Sequence, residues 1–122
     1  ECAGIDLTRF KGIRFNIKGQ TANGRLKLII PHEAKPSDGA KGICKSLTSS
    51  FEYEIDITGL VGKSWKRISL EFRKSFGQPE GTGAENVVDI RTVLADANVI
   101  KWHFYSGEGG TADIWIDKLE FY

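Results

Sequence analysis

Apolar and polar residues alternate one by one along most of this chain. The apolar members of the five clearest segments are Ile13, Phe15 and Ile17; Leu26, Leu28 and Ile30; Phe51, Tyr53, Ile55 and Ile57; Ile68, Leu70 and Phe72; and Ile100, Trp102 and Phe104. A period of two is typical of a β-strand that turns one face to a core and the other to solvent. The pattern therefore predicts an all-β protein with antiparallel sheets packed face to face.

Turn-forming residues separate the predicted strands. Asn23-Gly24 favours positive φ and predicts a tight hairpin between the first two strands. The glycine-rich segment 107–110 predicts the last connection in the chain. We therefore expect the segments on either side of each turn to be separate strands.

One stretch, 87–97, has a helix-like pattern. We expect Asp89 to cap a short turn there that carries Val93 and Leu94 into the core. The turn is too short to found an α/β fold. We predict a single domain over residues 1–122, folded as a β-sandwich jelly roll of two antiparallel sheets.

The charge balance argues against some classes of partner. The chain has 122 residues, of which 17 are basic and 16 acidic, so its net charge is +1. That balance does not favour a nucleic-acid or membrane-surface binder. No apolar run approaches the ~20 residues that cross a bilayer. We therefore expect neither nucleic acid nor membrane as a partner.

Four segments resemble phrases of jelly-roll carbohydrate-binding modules. They are DLTRFKGIRFNIKG at 6–19, WKRISLEF at 65–72, VDI at 88–90 with VIKWHF at 99–104, and WIDKL at 115–119. The chain is similar in these segments to the family eleven, four and thirty modules of plant-cell-wall hydrolases, and to the complex I intermediate-associated protein domain. One or two strands usually precede the first phrase, so we expect that part of the fold to be missing or to lie on another chain.

The resemblance implies a sugar-binding surface on the outer face of one sheet. Its candidate residues are Arg14, Asn16, Arg25, Lys27, Lys101, His103 and Tyr105. Aromatic rings suit the apolar side of a pyranose, and planar polar groups suit its hydroxyls. The family position of Trp65 and the alternation around Trp102 indicate structural roles for both. The cationic residues suggest an acidic glycan, gripped by charge-assisted hydrogen bonds, whereas a plain solvated sheet face is the alternative.

Asp117 is the candidate metal ligand. In the closing phrase of the family it corresponds to a residue that binds structural calcium, which needs several oxygen ligands. The family's other ligands come from the segment that is largely absent here, and Glu1 is a substitute. In the alternative, Asp117 pairs with Lys118 or with a backbone amide.

The two cysteines, Cys2 and Cys44, are expected to form a disulfide, because the resemblance implies a secreted protein and oxidising compartments preserve disulfides. Such a bond would contribute roughly 4 kcal/mol in the chain-entropy model. Two free thiols are the alternative. The N-terminus at Glu1-Cys2 suggests that the chain is cut from something longer.

These features together predict an extracellular, non-catalytic carbohydrate-binding module. It would recognise a polysaccharide and hold a linked catalytic domain or second chain close to it, which raises the effective concentration. One alternative is a structural or adhesive β-sandwich that is one chain of a cleaved secreted protein. The other is a glycan-active enzyme that uses the carboxylates of Glu52, Glu54 and Asp56, which share one strand face.

Overall fold

The computed structural model describes residues 5–32, 51–84, 87–95, 97 and 100–122. Its strands are β1 (Gly12–His32), β2 (Phe51–Asp56), β3 (Lys66–Glu71) and β4 (Lys101–Phe121). Its helices are a 3-10 turn (Thr58–Leu60), α1 (Phe72–Ser75) and α2 (Ile90–Leu94). The prediction of an all-β fold is confirmed. Cys2 and Cys44 lie outside the described residues, so the expected disulfide stays a prediction.

The four described strands form one antiparallel sheet around β1. β4 pairs with β1 over nearly its whole length, from Ile13 opposite Phe121 to Ile29 opposite Lys101. The other edge of β1 pairs with β3 in its first part and with β2 in its second part. The sheet therefore has two halves, β3-β1-β4 and β2-β1-β4, which share the same two long strands.

The hairpin predicted at Asn23-Gly24 is wrong. These residues lie within β1, at an irregularity between Ala22 and Gly24 where Asn23 has a φ of 54°. Segment 107–110 is likewise within β4, opposite Asn23, and does not separate two strands. A residue with positive φ suits a bulge as well as a turn. Here β4 runs beside β1 on both sides of the irregularity and keeps the strand extended.

The bulge at Asn23 keeps the apolar side chains of β1 on one face. Ile17 and Leu26 are separated by an odd number of positions, so uninterrupted alternation would place them on opposite faces. Both are buried in the same core, at 0% and 4% exposure. Because of the irregularity at Asn23, the odd-numbered residues before it point into the core. The even-numbered residues after it point into the same core.

The inner face of the sheet packs against the segments that are not in the sheet. Their buried side chains are Leu7, Ile57, Phe72, Phe76, Ile90, Val93, Leu94 and Ala97. The predicted cap of α2 is confirmed, since Asp89 accepts a hydrogen bond of 2.7 Å from the Arg91 amide. Phe72, expected at the end of a strand, instead begins α1, although its ring is still buried. Trp102 joins the core edge-on to Phe15, with ring centroids 4.9 Å apart.

The helices in the described part of the chain are all short. None of them is long and apolar enough to span a membrane.

Candidate functional site

The seven residues predicted for sugar binding share one face of the sheet. Residues directly opposite each other in an antiparallel pair lie on the same face. Arg25 is opposite Tyr105, Lys27 is opposite His103, and Lys101 is opposite Ile29, which alternates with Lys27 in β1. In the first half of β1, Arg14 and Asn16 alternate with the buried Ile13, Phe15 and Ile17. We call this surface, opposite the core, the outer face.

The half of the outer face between β2 and β4 is dominated by ion pairs. Arg25 Nε lies 2.7 Å from Asp56 Oδ2, and Lys27 Nζ lies 2.8 Å from Glu54 Oε1. The Lys27 ammonium also lies 5.2 Å from the centroid of the Tyr105 ring. Tyr105 in turn stacks on His103, with ring centroids 4.0 Å apart and planes at 10°. We call this the ion-paired half.

Three groups of the ion-paired half, Lys27, Asp56 and Tyr105, have shifted pKa values. The hydrogen bond to Glu54 raises the pKa of Lys27 in spite of partial burial. Burial alone would raise the pKa of Asp56, but hydrogen bonds from Thr58 and Arg25 outweigh it and hold that pKa below its usual value. Burial, with the nearby Glu52 and Glu54, raises the pKa of Tyr105. A general acid needs a raised carboxyl pKa, so Asp56 lacks that property.

The other half of the outer face, between β3 and β4, contains a second polar network. Glu120 accepts hydrogen bonds from Arg67 at 2.6 Å and from Arg14 at 3.3 Å. Arg67 also donates to the side-chain oxygen of Asn16 at 3.2 Å. Arg14 lies over the ring of Tyr122, 4.2 Å from its centroid. Two of the predicted ligand-binding residues, Arg14 and Asn16, are therefore already engaged with other protein groups.

Two exposed tryptophans flank one lysine beyond this network. The Lys18 ammonium lies 5.0 Å from the centroid of the Trp65 ring and 5.5 Å from that of Trp115. The tryptophans are 46% and 49% exposed. Within the described part of the chain, no carboxylate lies within ion-pair distance of Lys18. We call these three residues the aromatic cluster.

An open pocket of about 290 Å³ adjoins the aromatic cluster. Its lining residues are Lys18, Gly19, Gln20, Lys63, Asp113 and Trp115. It combines an aromatic ring with amide, ammonium and carboxylate groups, which together can donate and accept hydrogen bonds. The cluster therefore has both a flat apolar surface and polar groups at its border.

The backbone of Gly19 contacts the chain segments on both sides of it beside the aromatic cluster. Its N–H donates a hydrogen bond of 2.8 Å to the Gly62 carbonyl, which fastens the segment before Trp65 to β1. Gly19 has a φ of 142°, and a Cβ at this position would overlap the carbonyl oxygen of Asp113 in β4. Only glycine adopts this backbone conformation without strain. The close approach of β1 and β4 beside the aromatic cluster thus requires a residue with no side chain.

Sequence reasoning missed the aromatic cluster. The family position of Trp65 predicts a packing role, yet Trp65 is half exposed and lies just before β3. Trp115 is opposite Lys18 in the sheet and lies between Ile114 and Ile116, which face the core. That alternation was visible in the sequence and could have placed Trp115 outward. Its approach to Trp65 was not visible, because they come from strands far apart in the chain.

Asp117 is exposed and has a local partner. It lies opposite Asn16, and its Oδ1 accepts a hydrogen bond of 2.8 Å from the Lys118 amide. Lys118 has a φ of 51°, where β4 has an irregularity. Within the described residues, no group of three or more His, Cys, Asp and Glu side chains could hold a metal ion. Glu1, the expected substitute ligand, lies outside the described residues.

Comparisons with models of known protein families, with curated proteins and with solved structures found no match.

Proposed function

We propose that this protein is a non-catalytic carbohydrate-binding domain, and that its sugar contacts centre on the aromatic cluster of Lys18, Trp65 and Trp115. The observation that carries the proposal is the exposure of two tryptophan rings, at 46% and 49%, on either side of Lys18 on a sheet face. Large apolar side chains are usually withdrawn from water. A pair left exposed around a lysine with no carboxylate partner in the described structure is suited to a ligand that has both apolar and hydroxyl surfaces.

A polysaccharide has those surfaces. The C–H groups of a pyranose stack on aromatic faces, while its hydroxyls take hydrogen bonds from charged and amide groups. Trp65 and Trp115 would supply the stacking. Lys18, Gln20 and Asp113 would supply donors and acceptors at the border of the rings.

The ion pairs favour a neutral glycan over a strongly acidic one. Of the cationic residues that suggest uronates, Arg14, Arg25 and Lys27 each lie within 3.3 Å of a carboxylate oxygen. A ligand carboxylate would have to compete with those partners. Among the described residues of the outer face, Lys18 and Lys101 have no carboxylate within ion-pair distance. We therefore expect binding that changes little with salt, because few ionic contacts would be screened.

We infer further that the complete domain is a jelly-roll β-sandwich. Antiparallel pairing outside the four-stranded sheet supports this inference. Ile5 and Ala97 form an isolated antiparallel bridge, and the Leu7 amide donates to the Leu94 carbonyl at 2.7 Å. Leu7, Leu94 and Ala97 are all buried in the core. A second layer of extended backbone would begin from this bridge. The resemblance to secreted modules supports an extracellular location and a linked catalytic domain or second chain.

Structural calcium at Asp117 is part of the same proposal, with its other oxygen ligands supplied from outside the described residues. Since a ligand that binds only the native state raises stability, calcium should raise the Tm, and a chelator should reverse the rise. Asp117→Asn should remove the effect. An identical Tm with calcium and with chelator would reject the site.

Affinity electrophoresis against a panel of neutral and acidic polysaccharides tests the main proposal. We expect at least one neutral polysaccharide to retard the protein, and the double variant Trp65→Ala/Trp115→Ala to migrate without retardation. Tyr105→Ala is the matched control, because it removes an exposed aromatic from the ion-paired half. Unretarded wild-type protein across the panel would reject the proposal. Reducing-sugar release from the same panel would instead indicate the enzyme alternative.

A further inference from the structure

A second pocket, of about 400 Å³, lies at the end of the sheet where β1 begins. Its lining residues are Thr8, Arg9, Phe10, Lys11, Glu71, Phe72, Arg73, Lys74, Arg91 and Leu94. They come from the segment before β1, from the junction of β3 with α1, and from α2. Lys18 lies six positions after Gly12 in β1, which is about 20 Å of extended chain. The pocket is therefore distinct from the aromatic cluster.

Positive charge dominates this pocket. Of its described lining residues, five are basic and Glu71 alone is acidic. Glu71 is shared by two of the lysines, with Lys11 Nζ at 3.6 Å and Lys74 Nζ at 3.4 Å. Asp6 and Asp89 lie just outside the lining and accept hydrogen bonds from the Thr8 and Arg91 amides. Even with these two included, five cations lie near three carboxylates among the residues that the structure describes.

The arginines of the pocket are the groups that are available to bind a ligand. Arg9 lies over the ring of Phe10, 4.9 Å from its centroid. In the described part of the chain, the guanidinium groups of Arg73 and Arg91 have no carboxylate within ion-pair distance. These two belong to α1 and α2, so they reach the pocket from two different elements. An arginine presents a planar fork of donors that matches the oxygens of phosphate and carboxylate groups.

The pocket also has an apolar floor. Phe72 and Leu94 are buried core residues, at 1% and 3% exposure, and Phe10 packs beside them. A volume of about 400 Å³ lies within the usual range for small-molecule sites, which combine apolar walls with a few charged groups. A basic rim above an apolar floor suits a molecule with an anionic group and an apolar body.

We propose that this pocket binds an organic phosphate monoester. The phosphate group carries close to two negative charges at pH 7 and three acceptor oxygens, which fits the surplus of cations better than a singly charged group does. Arg73 and Arg91 hold the phosphate, and the body of the ligand lies on Phe10. This site is independent of sugar binding at the aromatic cluster.

Titration of the whole protein with phenyl phosphate, followed by amide chemical shifts, tests this assignment at constant ionic strength. We expect saturable shifts confined to the segments around 8–11, 71–74 and 91–94. Phenyl sulfate, which carries one charge, and inorganic phosphate, which lacks the ring, should each bind several-fold more weakly. The variants Arg73→Gln and Arg91→Gln should each weaken phenyl phosphate binding at least tenfold.

Matched variants separate this site from general attraction to a basic surface. Lys63→Gln removes one positive charge outside the pocket and should leave the affinity for phenyl phosphate unchanged, as should Trp115→Ala. Shifts spread over the whole surface, or an affinity that Arg73→Gln and Arg91→Gln leave intact, would overturn the proposal. Equal binding of phenyl sulfate and phenyl phosphate would overturn the choice of a phosphate ligand.

Discussion

The two halves of the outer face are built from the same pair of long strands, but their charged residues have different partners. In the ion-paired half, Arg25 and Lys27 are matched by Asp56 and Glu54 from the neighbouring β2. In the other half, Lys18 meets two tryptophan rings and, among the described residues, no carboxylate. Arg25 and Lys27 are therefore paired with neighbouring carboxylates, whereas Lys18 has no such partner in the described structure.

The difference follows from which short strand borders β1. β2 brings an alternating row of acidic residues, Glu52, Glu54 and Asp56, to the edge of the second half of β1. β3 brings Arg67 and Ser69 to the first half, with Trp65 just before it. The partners of the charged residues in each half of β1 therefore depend on which short strand, β2 or β3, pairs with that half. The following predictions test that difference, from the largest expected effect to the smallest.

Replacing Gly19 by alanine should disturb only the aromatic half. We expect a loss of about 2–3 kcal/mol in the free energy of unfolding, because the added Cβ overlaps the Asp113 carbonyl and the backbone conformation disfavours any L side chain. Urea unfolding measures the loss. Hydrogen exchange should show faster exchange near Trp115 and unchanged protection in β2.

Gly59→Ala is the control for that variant, since a Cβ there meets no atom within 4 Å. It should change the free energy of unfolding by less than about 0.5 kcal/mol. Equal stability of Gly19→Ala and wild type would show that the close approach of β1 and β4 at the cluster is not required.

Removing Lys27 should destabilise the ion-paired half. Lys27→Ala leaves Glu54, whose side chain is only 14% exposed, without its partner. We expect a cost of about 1–2 kcal/mol, which lies between the values for exposed and for buried pairs. Chemical denaturation measures it. The matched variant Lys18→Ala breaks no ion pair in the described structure and should lower the free energy of unfolding by less than about 0.5 kcal/mol. Similar losses for both lysines would contradict the distinction between the halves.

Replacing one aromatic residue should lower polysaccharide affinity more in the aromatic cluster than in the ion-paired half. Trp115→Ala should weaken affinity for the retarding polysaccharide about tenfold, which corresponds to ~1.4 kcal/mol, through loss of stacking. Tyr105→Ala should weaken it less than about threefold, because its ring is engaged with Lys27 and His103. Isothermal titration gives both values. A larger effect from Tyr105→Ala would move the site into the ion-paired half.

Lowering the pH should slightly reduce the contribution of Asp56, in the ion-paired half, to folding stability. Because the pKa of Asp56 is lowered in the native state, its stabilising contribution is present above the unfolded pKa of about 3.9 and is lost as the pH falls through the lower native pKa. We expect Asp56→Asn to remove less than about 1 kcal/mol at pH 7. Thermal unfolding between pH 2 and 7 should show a variant Tm closer to wild type at the acid end, and a constant difference would contradict this role.

Several parts of the fold could be predicted from the sequence. The inward residues of each strand, the cap of α2 by Asp89, and the common face of Arg25, Lys27, His103 and Tyr105 follow from local pattern and parity. The irregularity at Asn23 could not be predicted, since the same two residues serve a hairpin or a bulge. The choice depended on β4, which pairs with both sides of it.

The candidate site was harder to predict than the fold. The parity of Trp115 was available in its own strand, but its distance to Trp65 depends on how β1 brings β3 and β4 together. The pairing of Arg14 with Glu120 likewise joins residues from opposite ends of the chain. Such contacts cannot be predicted from sequence spacing. They determine which of the predicted ligand-binding residues have a carboxylate partner in the described structure.

By itself, the sequence determined that the chain forms half-buried strands and which side chains turn inward, because alternation is a local property of the extended backbone. Only the tertiary structure decided that β1 and β4 each run unbroken through a predicted turn, and which neighbour each charged residue meets. Those outcomes depend on pairing between segments distant in sequence. The exposed tryptophan pair and the basic pocket both arise where such segments meet.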